Sequence, residues 1–211
     1  MNQKVLKPLV LQLKIMKTRD EAVSSPDELL ILVDPSDNEV GFLSKAECHE
    51  GDGQLHRAFS VFIFNSSGQV LLQKRSHQKK LWGLHWSNSC CSHPRKGEEL
   101  HQAAKRRINE ELSIDCDLHF IYKFSYQESF EEKGSEYELC SVLVGLYDGD
   151  LSVNKTEIAD WQYIDGKELS TAIEEHPEQY TPWLKMEWAE MRKNYVNLIN
   201  DLLDLSLRLE F

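Results

Sequence analysis

The stretch from Asn88 to Leu112 constrains this chain more than any other. It opens on Asn88-Ser-Cys-Cys-Ser-His-Pro94, which reads as a polar loop. It continues through Glu98 to Leu112, where Leu100, Ala103, Ala104, Ile108 and Leu112 recur at helical spacing. Arg107 and Glu111 stand one helical turn apart and share a face. Two readings of that pair stand. It is an ordinary ion pair within the helix, or Glu111 helps hold a magnesium ion on a phosphate ligand while Arg107 contacts the phosphate oxygens. Magnesium keeps waters and shares few carboxylates with substrate phosphates, which suits a single Glu.

The totals bound what such a site can serve. The 211 residues allow one well-packed core with an appendage or two. A net charge of -11 argues against a nucleic-acid binder held by bulk electrostatics, although a small diphosphate needs only a few local cations. No apolar run reaches the length of a membrane span. The cysteines at 48, 90, 91, 116 and 140 are odd in number and lack the paired spacing of a zinc site. Reduced thiols and a cytoplasmic location are therefore expected. Residues 1–27 are expected to form a loosely packed N-terminal extension. Lys4, Lys7, Lys14, Lys17 and Arg19 precede any acid there, and the apolar stretch from Pro8 to Leu13 is too short for a secretory signal.

From Glu28 onward the pattern predicts one α+β domain over 28–211, a mixed β-sheet with helices on either side. Glu28 to Val33 reads as a strand that ends at Asp34-Pro35, with a hairpin partner over Glu39 to Leu43. Arg57 to Phe64 and Gln69 to Arg75 flank the turn at Asn65–Gly68. Leu81 to Ser87 is aromatic-rich and runs up to the Asn88 loop. His119 to Tyr126, Glu136 to Tyr147 and Asp160 to Ile164 are further strands, and Lys167 to Glu175 is a short helix. Thr181 fits an N-cap with Pro182 at the first helical position, which begins a helical C-terminal tail reaching about Leu207. A monomer or a homodimer is expected.

Several residues carry chemistry in this pattern. Glu136 and Glu138 lie two apart on a strand, so their carboxylates share a side while Tyr137 points away. With His49, His56 and His93 they compose a metal site, for which zinc or manganese in octahedral geometry suits the mixed donors. Taken singly, the same residues read as surface histidines and a solvated strand face. Lys45, Arg75 and Lys79 either complete a cationic clamp with Arg107 or are solvated charges, and Lys80 is a decoy beside them. Cys91, in a polar loop beside His93 and ahead of a helix, is expected to have a more acidic thiol than a buried cysteine. Tyr126 and Trp183 are residue types found more often in a core than at a site.

Two resemblances follow from these residues. The helix region is similar to the Nudix pattern of Gly, five residues, Glu, seven residues, then Arg-Glu-aliphatic-any-Glu-Glu-any-Gly. Here that pattern falls on Ser92, Glu98, Arg106, Glu110, Glu111 and Ser113, with Arg107 where hydrolases place a metal-binding Glu. Over residues 28–190 the chain resembles the type I isopentenyl-diphosphate delta-isomerases. The likeness is carried by His49 and His56 with the Arg57-Ala-Phe-Ser run, by Asn88 to Pro94, by Glu136-Tyr-Glu138 and by Thr181-Pro-Trp183. It implies a Nudix fold and the interconversion of isopentenyl and dimethylallyl diphosphates. It also implies a site in which His49, His56, His93, Glu136 and Glu138 hold a divalent metal (Mn2+, Zn2+ or Mg2+). Glu111 and the Cys91 carbonyl would hold Mg2+ on the diphosphate. Lys45, Arg75, Lys79 and Arg107 would clamp it, Cys91 and Glu138 would exchange protons beside Tyr126, and Trp183 would cap the hydrocarbon. The competing expectation is a Nudix hydrolase of a nucleoside or prenyl diphosphate, which needs an acid at position 107. A diphosphate-binding protein without turnover is a third.

Overall fold

The computed structural model describes residues 22–205. Most of the expected N-terminal extension and the last residues of the C-terminal tail lie outside them. The strands of the described residues form one sheet built around β3 (His56–Phe64). β3 pairs antiparallel with β1 (Leu29–Val33), β4 (Val70–Arg75) and β6 (Cys90–Ser92), and parallel with β8 (Gly134–Leu146). β2 (Glu39–Ser44) extends β1, β7 (Leu118–Phe130) forms a long hairpin with β8, and β9 (Ile158–Ile164) and β5 (Trp86–Ser87) flank β4.

Period-two alternation along β3 decides what each face receives. Phe59, Val61 and Ile63 turn to α2 (Leu100–Leu112), where Ala103, Ala104, Ile108 and Leu112 meet them. Phe62 and Phe64 turn the other way, toward Leu184, Trp188 and Met191 of the C-terminal helices. Covered on both sides, β3 reads as an almost unbroken apolar run. α3 (Gly166–Glu175) adds Leu169 to the second face. The expected mixed sheet with helices on either side is what forms.

The C-terminal tail is α4 (Pro182–Glu190), one π-helical stretch over Met191–Tyr195, and α5 (Val196–Leu203). Between Leu81 and Ser87 only Trp86–Ser87 is strand, because Trp82 and Leu84 adopt positive φ (47° and 63°) and turn the chain. One local expectation needs correction. Within the Asn88–Pro94 stretch, Cys90, Cys91 and Ser92 form β6 against Val61, Ser60 and Phe59. Its polar residues are internal connectors and not solvated loop residues. Asn88 Nδ2 donates to Val61 O at 3.2 Å, Ser89 Oγ donates to Leu71 O at 2.6 Å, and Ile63 N donates to Ser89 Oγ at 2.8 Å. Buried polar side chains are tolerated when they are bonded in this way. Ser113, where the Nudix pattern has glycine, still takes the left-handed conformation (φ 60°, ψ 30°) that closes α2.

Candidate active site

Five side chains gather at the head of the β3–β8 pair. The parallel register sets His56 beside Glu138, and Glu136 lies one pleat earlier on the same face. His49 caps α1 (Lys45–Cys48), a helix started by a capping box between Ser44 and Glu47. Its carbonyl accepts from Ser135 N at 3.1 Å, and Gly134 beside it leaves no room for a Cβ. His93 follows β6. One ligand atom from each of the five lies within 4.8 Å of all the others, and all five residues are buried.

The backbone aims the histidines. Nδ1 of His49 bonds Lys45 O and Nδ1 of His56 bonds Gln54 O, both at 2.6 Å, which leaves each Nε2 facing inward. His49 Nε2 lies 2.8 Å from Glu136 Oε2, and His93 Nε2 lies 3.0 Å from Glu138 Oε1. Burial and the neighbouring His49 push His56 down to about 4, and burial with His56 holds His93 well below its ordinary range. Both are therefore neutral, the ligand form of imidazole. Burial opposes charge on Glu136, yet His49 draws it down to about 2. Among the described residues, His56 Nε2 is a buried atom with no hydrogen-bond partner. A cation at the centre would satisfy it, so the cluster fits a divalent metal.

Beside the cluster opens a cavity of about 340 Å³. Lys45, Arg75, Lys79 and Arg107 all line it, with Cys91, Tyr126, Glu138 and Trp183. Lys80, set aside in the sequence, lines it too. Arg107 is 1% exposed and Glu111 is likewise 1% exposed and paired with it. Lys45 is driven down to about 8 by burial and by the nearby Lys79 and Arg107. Arg75 and Arg107 each keep a buried Nε with no partner among the described residues. Crowded cations with unmet donors are what an anion would satisfy.

Comparison with known proteins bears on the same residues. The NUDIX domain family matches residues 54–184. The chain is 42% identical over 170 residues to isopentenyl-diphosphate Delta-isomerase 1 of Photorhabdus laumondii, covering 80% of this chain and 97% of that one. It is 41% identical over 157 residues to the isopentenyl-diphosphate Delta-isomerase of Serratia proteamaculans, covering 74% and 87%. The chain belongs to the isopentenyl-diphosphate Delta-isomerase family. Among solved structures, DR0079 from Deinococcus radiodurans superposes with a TM-score of 0.59 at 20% identity over 70% of this chain and 90% of that one, which shows a shared fold.

In this isomerase-family chain, Cys91 on β6 and Glu138 on β8 face the cavity from strands on either side of β3. Tyr126, directly opposite Glu138 in the β7–β8 register, donates to Glu138 Oε2 at 2.8 Å. Burial and the adjacent Glu136 hold the Glu138 carboxyl well above the usual carboxylate range. Cys91 Sγ donates to Asn88 Oδ1 at 2.6 Å and accepts from Trp183 Nε1 at 3.1 Å. The expected acidic thiol is not found. Burial pushes Cys91 up to about 12, since β6 places it inside the sheet and not in a solvated loop. Trp183 is 3% exposed, and the Arg75 guanidinium lies 5.1 Å from its ring centre.

Two carboxylates escaped the sequence reading. Glu157, just before β9, contacts Lys79 and lies 3.5 Å from Arg107. Glu187 on α4 is fully buried, 3.7 Å from Cys140 Sγ, and burial raises it to about 8. Neither belongs to a motif, and a single Glu in an amphipathic pattern carries no signal of burial. Glu187 has a measurable consequence. The folded chain keeps a proton that the unfolded chain releases above its ordinary value of 4.5, so the stability present below 4.5 declines as pH rises toward 8. Glu187→Gln cannot ionise. The wild type is expected to lose on the order of 2 kcal/mol more than this variant between pH 5 and pH 8, after relaxation around the interior carboxylate. Thermal melts of both proteins at the two pH values check this, and parallel changes refute it.

Proposed function

We infer that this protein interconverts isopentenyl diphosphate and dimethylallyl diphosphate. Its family relationship supports this, and one structural observation carries it. Arg107, a buried cation, lines the cavity at the position where Nudix hydrolases need an acid, beside a metal-fitting His/Glu cluster. The cavity therefore suits a diphosphate that is held and left intact.

In this reading Lys45, Arg75, Lys79 and Arg107 bind the diphosphate. Glu111, joined to the cavity wall through Arg107, is the proposed seat of Mg2+ together with the Cys91 carbonyl. The His/Glu cluster would hold Mn2+, Zn2+ or Mg2+, which would polarise and order the Glu138 carboxyl. Isomerisation needs one acid-base group with its proton and one without. In the free protein burial keeps the proton on both groups. Arg75 and the Trp183 N–H offset part of that cost at Cys91, so Cys91 is the group proposed to react without its proton, while the raised carboxyl of Glu138 keeps its own. Glu138 then delivers a proton to the terminal alkene carbon while Tyr126 holds its second oxygen. The π electrons form the new C–H bond and positive charge falls on the tertiary carbon. Cys91 removes a proton from the carbon next to the diphosphate-bearing methylene, and that C–H pair becomes the new double bond. Trp183, at the cavity wall, is proposed to stabilise the cation through its π face, by about 2 kcal/mol for a desolvated contact.

A cytoplasmic, reducing location suits a chain whose cysteines are all free, Cys91 among them. No helix among the described residues is long and apolar enough to cross a membrane. The deciding experiment is proton NMR of the protein with isopentenyl diphosphate and magnesium in deuterated water. Dimethylallyl diphosphate carrying deuterium, with no free phosphate, is expected. Phosphate release would instead make the protein a hydrolase, and unchanged substrate would make it a binding protein.

A further inference from the structure

Glu157 takes no part in the proton transfers. Its backbone is fastened on both sides: its N–H donates to Asn154 O at 3.1 Å, and its carbonyl accepts from Ser76 N at 2.8 Å. The carboxylate is thereby fixed at the cavity wall, 4% exposed, between Lys79 on the turn after β4 and Arg107 on α2. Burial opposes its charge, but Lys79 and Arg107 draw it down to about 2, so it is ionised at any working pH. Those two cations, with Lys45, repel one another inside a cavity that holds no opposite charge of its own except on carboxylates. Cations gathered there are costly unless countered. A diphosphate arriving at Lys79 and Arg107 meets a carboxylate already on them.

We propose that Glu157 is a built-in counter-ion that holds Lys79 and Arg107 in the free protein and is displaced from them by the diphosphate. It rests on the reading of this cavity as a diphosphate site. Glu157 keeps the clamp formed and closed to weakly charged anions. At Arg107 a ligand meets Glu111 as well as Glu157, and it takes Lys79 only if its charge outcompetes Glu157. A diphosphate does so, and a singly charged phosphate ester does so poorly.

Two physical effects set the sign of a test. Removing the carboxylate removes both a competitor for the cations and a repulsion toward the incoming anion. The full-length, metal-loaded protein is titrated calorimetrically with inorganic pyrophosphate, with no magnesium added. Glu157→Gln is expected to bind at least about tenfold more tightly than the wild type, a modest fraction of a charge pair at this burial. Glu157→Asp, whose carboxylate stops one methylene short, falls between the two. It decides the matter alone if the Gln variant does not fold. Inorganic phosphate, which carries less charge and is repelled less by the carboxylate, is expected to gain by a smaller factor than pyrophosphate in Glu157→Gln. Equal or weaker pyrophosphate binding by the variants overturns the proposal and leaves Glu157 as a fixed anchor. A wild type that fails to bind pyrophosphate at millimolar concentration, with or without magnesium, overturns the diphosphate site and the counter-ion together.

Discussion

Cys91→Ser is expected to lower kcat for isopentenyl diphosphate by about a thousandfold while leaving the fold intact, the range expected when a positioned acid-base group is lost. The substitution is nearly isosteric. Serine can keep the contacts to Asn88, Ser60 and Ser87 that surround Sγ. It cannot readily become an anion, because a hydroxyl holds its proton far more tightly than a thiol. Cys91 is a cleaner test than Glu138, since Glu138 also belongs to the metal-fitting cluster and its loss would confound proton transfer with metal binding. Turnover by NMR with a thermal melt on the same sample separates chemistry from stability. An unchanged melting temperature with kcat within about fivefold of wild type would remove Cys91 from the reaction.

Arg107→Met is expected to cost about 3–5 kcal/mol of stability, the usual result of removing one partner from a buried ionic cluster. Arg107 faces Glu111 and Glu157 in the interior, with Glu110 at 3.6 Å. Methionine fills part of the volume, leaves the buried Glu111 without its cation and leaves Glu157 with Lys79 alone. The neighbouring Arg106 supplies the control. It makes two bonds to Glu98, at 2.7 and 2.8 Å, but its side chain is 20% exposed. Arg106→Met should therefore cost about 1 kcal/mol or less. Urea midpoints of the two variants test the difference, and equal costs would mean that the Arg107 cluster is hydrated and gains nothing from its burial.

The two arginines also show what the sequence conveys. Helical spacing placed both on α2 and set position 107, four residues after Ala103 and three after Ala104, on the apolar side, and the Nudix pattern marked it, but neither said that Glu157 would reach it from outside the helix. The strands around β3 were legible because its β-formers are bounded by turn residues. The metal cluster was legible only as a set, since His49, His56, His93 and the Glu136–Glu138 pair are individually common surface patterns. β6 was not legible, because Asn88, Ser89 and Ser92 have the composition of a solvated loop and their bonding partners lie on β3 and β4. The high pKa of Cys91, the burial of Glu187 and the position of Glu157 are tertiary facts. Each depends on which distant element covers the residue, and no local spacing carries that.

The parallel pairing of β3 with β8 has a consequence for the order of assembly. His56 and Glu138 are neighbours only in that register, and a slip of one residue would turn Glu138 to the opposite face. Parallel pairs between distant segments form late, after long loops have closed. A cation that needs His49, His56, His93, Glu136 and Glu138 together finds its seat only in the finished sheet, so it cannot act as a nucleus. It stabilises the native state by mass action instead. Metal loading should accordingly slow unfolding and leave the refolding rate almost untouched, so the metal governs how long the folded chain lasts and not how quickly it arises.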